Sequence, residues 1–259
     1  MNSEYHIQLN RLKESFDSAN EISVAADAIQ KCIPCGELNI LDVGIGEGKA
    51  AIQLIGRLSR MGYAPRLTGI DIYVPPSLYE KSTHNIKLCE IDFASYPLTE
   101  KFDVVVATQS LYYLGSPELA LRKLASHTRR EGILLVTMWS NRCELYQLHE
   151  RFCADPDRRK VAVQHAARML REIDNYATVE VVTTVGKVDF TYWQESEETC
   201  LSAFRVLARA ESADDPDLSE YAKFRELITV LPLCGKRENG TIISWWDRKR
   251  GGNCISPMR

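Results

Sequence analysis

Short apolar runs alternate with segments of helical periodicity over the first half of the chain. Runs at 39–43, 66–72, 85–91, 102–108 and 132–140 predict strands. The run at 102–108, "FDVVVAT", is of the kind that is buried on both faces of a parallel sheet. After the first run, apolar residues recur with the spacing of one helix face, at Ala51, Leu54, Ile55 and Leu58. Strands that alternate with helices in this way predict an α/β fold with a doubly wound sheet.

The second half of the chain has a mostly helical pattern. Helices are predicted at 142–154, 158–172, 197–209 and 217–231, in addition to one from about residue 116 and two before the first strand, at 4–17 and 21–32. At residue 116, a serine followed by Pro117 is a typical helix start. The segment 177–193 alternates like one long strand or a hairpin around Gly186, and 241–246 predicts the last strand. We expect one domain over residues 1–259.

Three glycines at alternate positions directly follow the first predicted strand: Gly44, Gly46 and Gly48. Without side chains they allow a tight turn whose main chain can lie against a ligand. A phosphate-binding P-loop would need Gly at 43 and a hydroxyl side chain at 50, where the chain has Val43 and Ala50. A dinucleotide-binding motif would need Gly or Ala at 49, where the chain has Lys49. Asp42, just before the turn, would repel a pyrophosphate but suits a ligand that carries an ammonium group.

Each of the first three predicted strands ends at or just before an aspartate: Asp42, Asp71 and Asp92. Ligands of doubly wound sheets bind outside the carboxyl ends of the strands, so we expect these carboxylates to line one site. Asp71, about twenty residues past the glycines, is placed to accept both hydroxyls of a ribose. Asp92 can accept from an adenine amino group, with Ile72 or Phe93 against the ring.

The composition argues against several classes of function. The net charge is −3 and the chain has no long run of Lys or Arg, which disfavours a nucleic-acid partner. No apolar run is long enough for a membrane span and the polar N-terminus has no signal-peptide core, so we expect a cytoplasmic protein with no membrane partner. Cys32 and Cys35 have no second Cys-x-x-Cys to complete a zinc site, and we expect no metal.

The order of these motifs is similar to that of class I S-adenosylmethionine-dependent methyltransferases. The resemblance covers about residues 37–140 and is carried by "ILDVGIGEGKAAIQLI", "LTGIDI", "EIDF" and "FDVVVATQSLYYL". It implies a Rossmann-like, mostly parallel sheet with an antiparallel last strand. It also implies S-adenosylmethionine as methyl donor and S-adenosylhomocysteine as product. The cofactor-binding residues that it implies are Asp42, Gly44, Gly46 and Gly48 around the methionine part, Asp71 at the ribose, Ile72, Asp92 and Phe93 at the adenine, and Thr108 and Gln109 beside the reacting methyl.

A closer resemblance is to histamine N-methyltransferase and its small-molecule relatives. It is carried by "TQSLYYLGSPELALRKL", "TMWSNRCELYQLHERF" and "RENGTIISWW". It implies an N-terminal helical lid at 1–36, a cofactor-binding core at 37–140, and a helical insertion at 191–239 that forms part of the substrate pocket. By the same resemblance Glu21, Gln109 and Asn239 hold the acceptor, with Gly240 replacing Asn239 if the register shifts by one.

Methyl transfer from a sulfonium mainly requires that the nucleophile be held in line and that water be excluded; positioning alone supplies about 7 to 11 kcal/mol. Gln109, Tyr112 and Tyr113 follow the fourth strand, and with Glu21 they are the predicted catalytic residues. A nearby acid or phenol can orient an amine and take its proton. The substrate-binding residues that we predict are Glu21, Gln109, Tyr113, Trp139, Trp193 and Asn239.

Three hypotheses about function follow. The first is methyl transfer to a nitrogen of a small molecule of the amine, guanidine or imidazole type, by a monomer or small homo-oligomer. The second is transfer to an oxygen or carbon of a small natural product, which usually needs a stronger base such as a histidine near the methyl. The third is a non-catalytic module that binds S-adenosylmethionine.

Overall fold

A computed structural model describes residues 19–81, 84–153, 155, 160–174, 177–208, 218–231 and 234–246. The helix predicted at 4–17, and with it the first half of the predicted lid, lies outside these ranges. Within them, no helix is both long and apolar enough to cross a membrane.

Seven strands form one sheet, and the five predicted in the first half are all present. They are β1 (Glu37–Val43), β2 (Ala64–Asp71), β3 (Ile86–Glu90), β4 (Phe102–Thr108), β5 (Thr128–Trp139), β6 (Ala177–Asp189) and β7 (Cys234–Trp246). The strand order is β3-β2-β1-β4-β5-β7-β6. The pairs β1–β2, β2–β3, β1–β4 and β4–β5 are parallel. The chain order therefore reverses between β1 and β4, which is the place where doubly wound sheets bind their ligands.

The last strand runs antiparallel to its neighbour β5. Thr137 of β5 lies opposite Thr241 of β7, with their Oγ1 atoms 3.0 Å apart. Beyond Thr137 along the chain, the Ser140 N–H donates to the Glu238 carbonyl at 2.9 Å. Because the residue numbers fall along β7 as they rise along β5, the two strands are antiparallel. The predicted fold class, a mostly parallel Rossmann-like sheet with an antiparallel last strand, is confirmed.

The helices lie between these strands and largely match the predicted segments. They are α1 (Ala19–Cys32), α2 (Lys49–Arg60), α3 (Pro76–Lys81), α4 (Pro117–His127), α5 (Glu144–Phe152), α6 (Val163–Ile173), α7 (Thr191–Glu195), α8 (Glu197–Ala208) and α9 (Leu218–Val230). The predicted start of α4 is confirmed, since the Ser116 side chain accepts from the Leu119 N–H and Pro117 is the first helical residue. The segment predicted as a long strand or a hairpin forms a single strand, β6.

The chain divides into two compact units. Of the described residues, the sheet unit contains those within Glu21–Met138 and Val163–Thr183 and those from Gly240 to Trp246; the aromatic unit contains those within Trp139–Ala162 and Thr184–Asn239, with Asn20. The core of the sheet unit packs α1 and α2 on the central strands through Ile29, Leu38, Ile40, Leu58 and Val104, each at most 1% exposed.

The aromatic unit is organised around a cluster of rings. Phe224, fully buried, lies with its ring centroid 5.2 Å from Phe152, 5.4 Å from Phe204 and 6.5 Å from Trp193. Phe190 packs edge-on against Trp193 at 5.0 Å. Ring pairs at these separations contribute about 0.5 to 1.5 kcal/mol each beyond their buried area. This cluster is therefore the main core of its unit.

Candidate functional site

The glycine turn closes against its own sheet and opens the helix α2. The Gly44 N–H donates to the Ile70 carbonyl at 2.8 Å, which ties the turn to the end of β2. Gly44 and Gly48 have φ values of 79° and 72°, and Gly48 is the N-cap residue of α2. A Cβ at Gly44 would lie 2.3 Å from the Ser110 Cβ, and one at Gly48 would lie 2.5 Å from a Leu78 methyl. Both glycines are thus required by the fold itself, in addition to any role toward a ligand.

Asp71 at the end of β2 helps to hold the turn in shape. Its Oδ2 accepts from the Gly46 N–H at 2.8 Å, and its Oδ1 accepts from the Tyr73 N–H at 3.3 Å. Each carboxylate oxygen has a second lone pair, so both can still accept a ribose hydroxyl. The next residue, Ile72, is 41% exposed, as a side chain that covers a ligand ring would be.

The predicted adenine-binding pair lies at the end of β3 and is only partly accessible. The Asp92 Oδ1 accepts from the Ala94 N–H at 2.8 Å and so caps the short 3-10 helix Phe93–Ser95. The Phe93 ring is 4% exposed and lies 5.8 Å from the ring of His127. The Lys123 Nζ stands 5.0 Å from the Phe93 ring centroid. Asp92 therefore keeps one oxygen for a ligand, while much of the Phe93 ring contacts protein.

The end of β4 carries a strained residue with buried polar atoms. Gln109 has a φ of 55°, the one positive value among the described non-glycine residues. Its N–H donates to the Thr137 carbonyl at 2.8 Å, which fixes the backbone. Both polar atoms of its side-chain amide are buried and have no hydrogen-bond partner among the described residues. Strained backbone and unsatisfied buried polar groups both cost free energy, and both are typical of functional sites.

The two tyrosines that follow differ in exposure. They lie in the 3-10 helix Leu111–Tyr113, with their rings 6.2 Å apart and perpendicular. Tyr112 is 8% exposed and Tyr113 is intermediate. Ser110, which precedes them, donates through Oγ to the Val43 carbonyl at 2.6 Å and so joins this segment to the end of β1. The segment after β4 is thereby held beside the glycine turn.

Asp42 and Glu21 line one cavity in the sheet unit. The cavity wall consists of Glu21, Ile22, Ala25, Asp42, Ala50, Ala51, Leu54, Val106, Thr108, Leu135 and Thr137. Asp42 is 6% exposed, and its Oδ1 is buried with no hydrogen-bond partner in the part of the chain that the structure describes. Burial, and secondarily the charge of Asp71, raises the pKa of Asp42 to about 7. Thr137 is a member that the sequence analysis missed; a threonine inside the apolar run "GILLVTMW" was the available signal.

The remaining predicted substrate-binding residues belong to the aromatic unit. The Trp139 ring is covered by the ammonium group of Lys160, 4.1 Å from its centroid, and Lys160 is itself 4% exposed. Trp193 is 1% exposed within the aromatic cluster, and Asn239 is also 1% exposed. Their roles toward a substrate stay predictions.

His149 of α5 and His165 of α6 do not have the surroundings of a catalytic base. The His149 Nε2 accepts from the Lys160 N–H at 2.8 Å, so Nδ1 carries the proton and donates to the Leu207 carbonyl at 2.5 Å. His149 is fully buried in the aromatic unit, and His165 is exposed on α6. Among the described residues, no histidine lines the cavity of Asp42 and Glu21.

The chain matches the sequence model of a family described as a methyltransferase domain, over residues 11–200. No curated protein matches it by sequence.

Solved structures with the same fold have low sequence identity to the chain. A methyltransferase from Thiobacillus denitrificans, solved in complex with S-adenosylhomocysteine, is 16% identical with a TM-score of 0.55, over 95% of this chain and 99% of that one. A candidate sarcosine dimethylglycine methyltransferase from Galdieria sulphuraria is 11% identical with a TM-score of 0.54, over 88% and 86%. A phosphoethanolamine N-methyltransferase from Haemonchus contortus, solved in complex with phosphomonomethylethanolamine and S-adenosylhomocysteine, is 11% identical with a TM-score of 0.55, over 90% of this chain and 54% of that one.

Proposed function

The chain belongs to the methyltransferase domain family and is an S-adenosylmethionine-dependent methyltransferase, and we propose that it transfers the methyl group to a nitrogen of a small molecule. The closer resemblance to histamine N-methyltransferase and its relatives supports a nitrogen acceptor. Two structures with the same fold are named for nitrogen acceptors, one of the sarcosine and dimethylglycine type and one of the phosphoethanolamine type.

The residues at the strand ends fit the cofactor. The turn Gly44–Gly48 would hold its methionine part, both oxygens of Asp71 its ribose hydroxyls, and Asp92 with Ile72 its adenine. When bound, S-adenosylmethionine supplies a methyl group that its sulfonium already activates. The acids Asp42 and Asp71 supply negative charge that favours a cationic ligand over the anionic pyrophosphate of a dinucleotide.

The observation that supports a nitrogen acceptor is the buried side-chain amide of Gln109, whose two polar atoms have no partner within the described ranges. The amide oxygen accepts from an N–H group and so can orient an amine while its lone pair stays directed at the methyl; the NH₂ can donate to another acceptor atom of the ligand. A ligand that satisfied these atoms would remove their desolvation cost of about 1 to 3 kcal/mol. Tyr112 and Tyr113, next in the chain, can orient the nitrogen or take its proton, directly or through water.

The test is a pH profile of methyl transfer for three substitutions at the end of β4. Amines, guanidines and imidazoles are first screened by product mass, and the rate with the best acceptor is then followed from pH 6 to pH 10. The rate should rise with pH until the bound amine loses its proton, because only the lone pair attacks. Gln109→Ala should lower the rate, and Tyr112→Phe or Tyr113→Phe should change the height or midpoint of the rise, with little change in S-adenosylhomocysteine affinity.

Tyr79→Phe is the matched control, since Tyr79 is 47% exposed on α3. If the pH profiles of all three variants match that of the control, the acceptor is held elsewhere in the chain. If only hydroxyl or carbon acceptors are methylated, the proposal of a nitrogen acceptor is wrong.

A further inference from the structure

Residues 92–96 form a short turn after β3 that is held partly by its own hydrogen bonds. The Asp92 Oδ1 accepts from the Ala94 N–H at 2.8 Å, and the Tyr96 N–H donates to the Phe93 carbonyl at 3.1 Å. Phe93 and Tyr96 are buried, whereas Asp92 is exposed. The two rings therefore anchor the turn in the protein and leave the Asp92 carboxylate accessible to a ligand.

A lysine of helix α4 holds the same turn from outside. The Lys123 Nζ donates to the Ala94 carbonyl at 2.7 Å and stands 5.0 Å from the Phe93 ring centroid. The first contact is a charge-assisted hydrogen bond, and the second has the distance of a cation–π interaction. Both backbone polar groups of Ala94 are thus fixed, the N–H by Asp92 and the carbonyl by Lys123.

The Lys123 ammonium group is also attracted to Asp92. Burial lowers the pKa of Lys123, and the negative charge of Asp92 acts in the opposite direction. Lys123 gives its hydrogen bond to a main-chain carbonyl, however, and not to the carboxylate. The second oxygen of Asp92 therefore stays available to a donor on a ligand, such as an adenine amino group.

A histidine of the same helix supports the buried side of the turn. His127 is fully buried, and its ring centroid lies 5.8 Å from that of Phe93 and 5.4 Å from that of Tyr96. Its Nδ1 donates to the Glu100 carbonyl at 3.1 Å, since a carbonyl can only accept. Lys123 and His127 are four residues apart and so lie on one face of α4. This face contacts the turn both at its main chain and at its rings.

We propose that Lys123 is a positioning residue for the cofactor, because its ammonium group fixes the turn 92–96 in the conformation that presents Asp92 to the adenine. The inference rests on the proposed function, in which Asp92 holds the adenine. Lys123 should act on binding of the cofactor and not on methyl transfer, since the reacting methyl is expected beside Gln109, at the end of a different strand.

The physical basis of this role is the conformational entropy of an exposed turn. A turn that is free to move must be ordered when its ligand binds, and that ordering weakens binding. The bond from Lys123 to the Ala94 carbonyl orders the main chain before the ligand arrives. Its loss should weaken binding of every ligand that contains the adenine, and by a similar factor for each.

The binding experiment compares two probes on the full chain: S-adenosylhomocysteine, and adenosine, which lacks the amino acid part. Lys123→Met keeps a long unbranched side chain and removes the ammonium group. Calorimetry should show that this variant binds both probes about tenfold more weakly than the unaltered chain, as expected for the loss of a charge-assisted hydrogen bond. Lys123→Arg retains a cation that can donate to a carbonyl and lie over a ring, so its affinities should stay within about threefold of those of the unaltered chain.

Kinetics separate positioning of the cofactor from a general effect on the fold. With the best acceptor of the product screen, the KM for S-adenosylmethionine should rise about tenfold in Lys123→Met, while kcat stays near that of the unaltered chain. A residue that only stabilised the protein would lower the thermal unfolding midpoint and the amount of active enzyme, and would leave KM unchanged. The midpoint is therefore measured for each variant, and all binding is compared well below it.

Arg122→Met is the matched control, because it removes a cation from the neighbouring position of the same helix. The Arg122 guanidinium pairs with Glu118 on the surface of α4. The control should bind both probes like the unaltered chain and retain its KM.

Three outcomes would overturn the proposal. Lys123→Met could bind both probes like the control, it could lose affinity for S-adenosylhomocysteine but not for adenosine, or Lys123→Arg could be as weak as Lys123→Met. Failure of the proposed function looks different: the affinities would change as expected, but no amine in the product screen would be methylated.

Discussion

The end of the sheet and the aromatic cluster both consist largely of buried residues, but of different kinds. At the sheet end, Asp42 and Gln109 hold buried polar atoms that no group of the described residues satisfies. In the aromatic unit, packed rings form the cluster. The Trp193 Nε1 within it also has no hydrogen-bond partner in the described chain, but other polar groups that flank the cluster pair with each other. Ser140 donates to Glu238 at 2.8 Å, and His149 bonds through both ring nitrogens.

The two regions therefore differ in chemistry: the sheet end holds a buried acid whose pKa is raised, and the cluster holds rings packed on one another. Packed rings stabilise a unit without any ligand, whereas a buried acid that no group satisfies lowers the stability of the protein until a ligand pairs with it. Both regions look alike in exposure, so burial alone would not have distinguished them. The comparison predicts that changes in the cluster act on stability, while changes at the sheet end act on binding and on its pH dependence.

The largest effect should come from the centre of the cluster. Phe224→Ala removes a fully buried ring that contacts three other aromatic residues. We expect the free energy of unfolding to fall by about 3 to 5 kcal/mol, measured by urea titration. Leu119→Ala is the control, since Leu119 is 68% exposed and should change stability little. A loss below about 1 kcal/mol would mean that the rings do not form a packed core.

The second prediction concerns Asp42, whose contribution to the free energy of unfolding depends on pH. Its pKa is 3.8 in the unfolded chain and about 7 in the fold, so between these values the folded protein holds a proton that the unfolded chain has lost. This contribution to stability is complete below pH 3.8 and is lost as the pH rises to about 7. An asparagine does not titrate, so the free energy of unfolding of Asp42→Asn should not fall over this pH range. Relative to the unaltered chain, the variant should therefore become more stable by up to roughly 4 kcal/mol as the pH rises through the range.

Urea titrations of the cofactor-free protein at several pH values measure the difference between the two chains. Asp27→Asn, which changes an exposed acid, should run parallel to the unaltered chain. Curves for Asp42→Asn that also run parallel would show that Asp42 titrates normally, and would remove the distinction between the sheet end and the cluster.

The strands up to β5 could be predicted from the sequence, because each is a short segment rich in apolar residues that lies between a turn and a helix. The full length of β7 was not predictable in the same way. Its first half, "CGKRENG", has the composition of a surface loop, yet Arg237, Glu238 and Asn239 are at most 5% exposed. Charged residues can be buried only where partners distant in the sequence satisfy them, as Ser140 does for Glu238.

The residues of the candidate site also differ in whether they could be predicted from the sequence. Asp42, Asp71 and the glycines could be predicted because they follow strands directly, and strand order alone brings such positions together. The surroundings of the tryptophans could not be predicted. The sequence around Trp139 does not indicate that Lys160 covers its ring. The position of Trp193 depends on its packing against Phe224, which is distant in the sequence.

The smallest predicted effect concerns Asp71, the second acid of the sheet end. Unlike Asp42 Oδ1, both of its carboxylate oxygens accept from backbone N–H groups. Asp71→Ala should weaken S-adenosylmethionine binding by roughly 1.5 to 3 kcal/mol through loss of the charge-assisted contacts to the ribose. Asp71→Asn retains an acceptor for the Gly46 N–H, so it separates loss of the ribose contact from distortion of the turn. Calorimetry should show weaker binding in both variants and an unchanged affinity in Glu47→Gln.

Either Asp71 variant should also lower the pKa of Asp42, since the charge of Asp71 helps to raise it. Wild-type cofactor affinity in both Asp71 variants would limit Asp71 to a structural role in the turn.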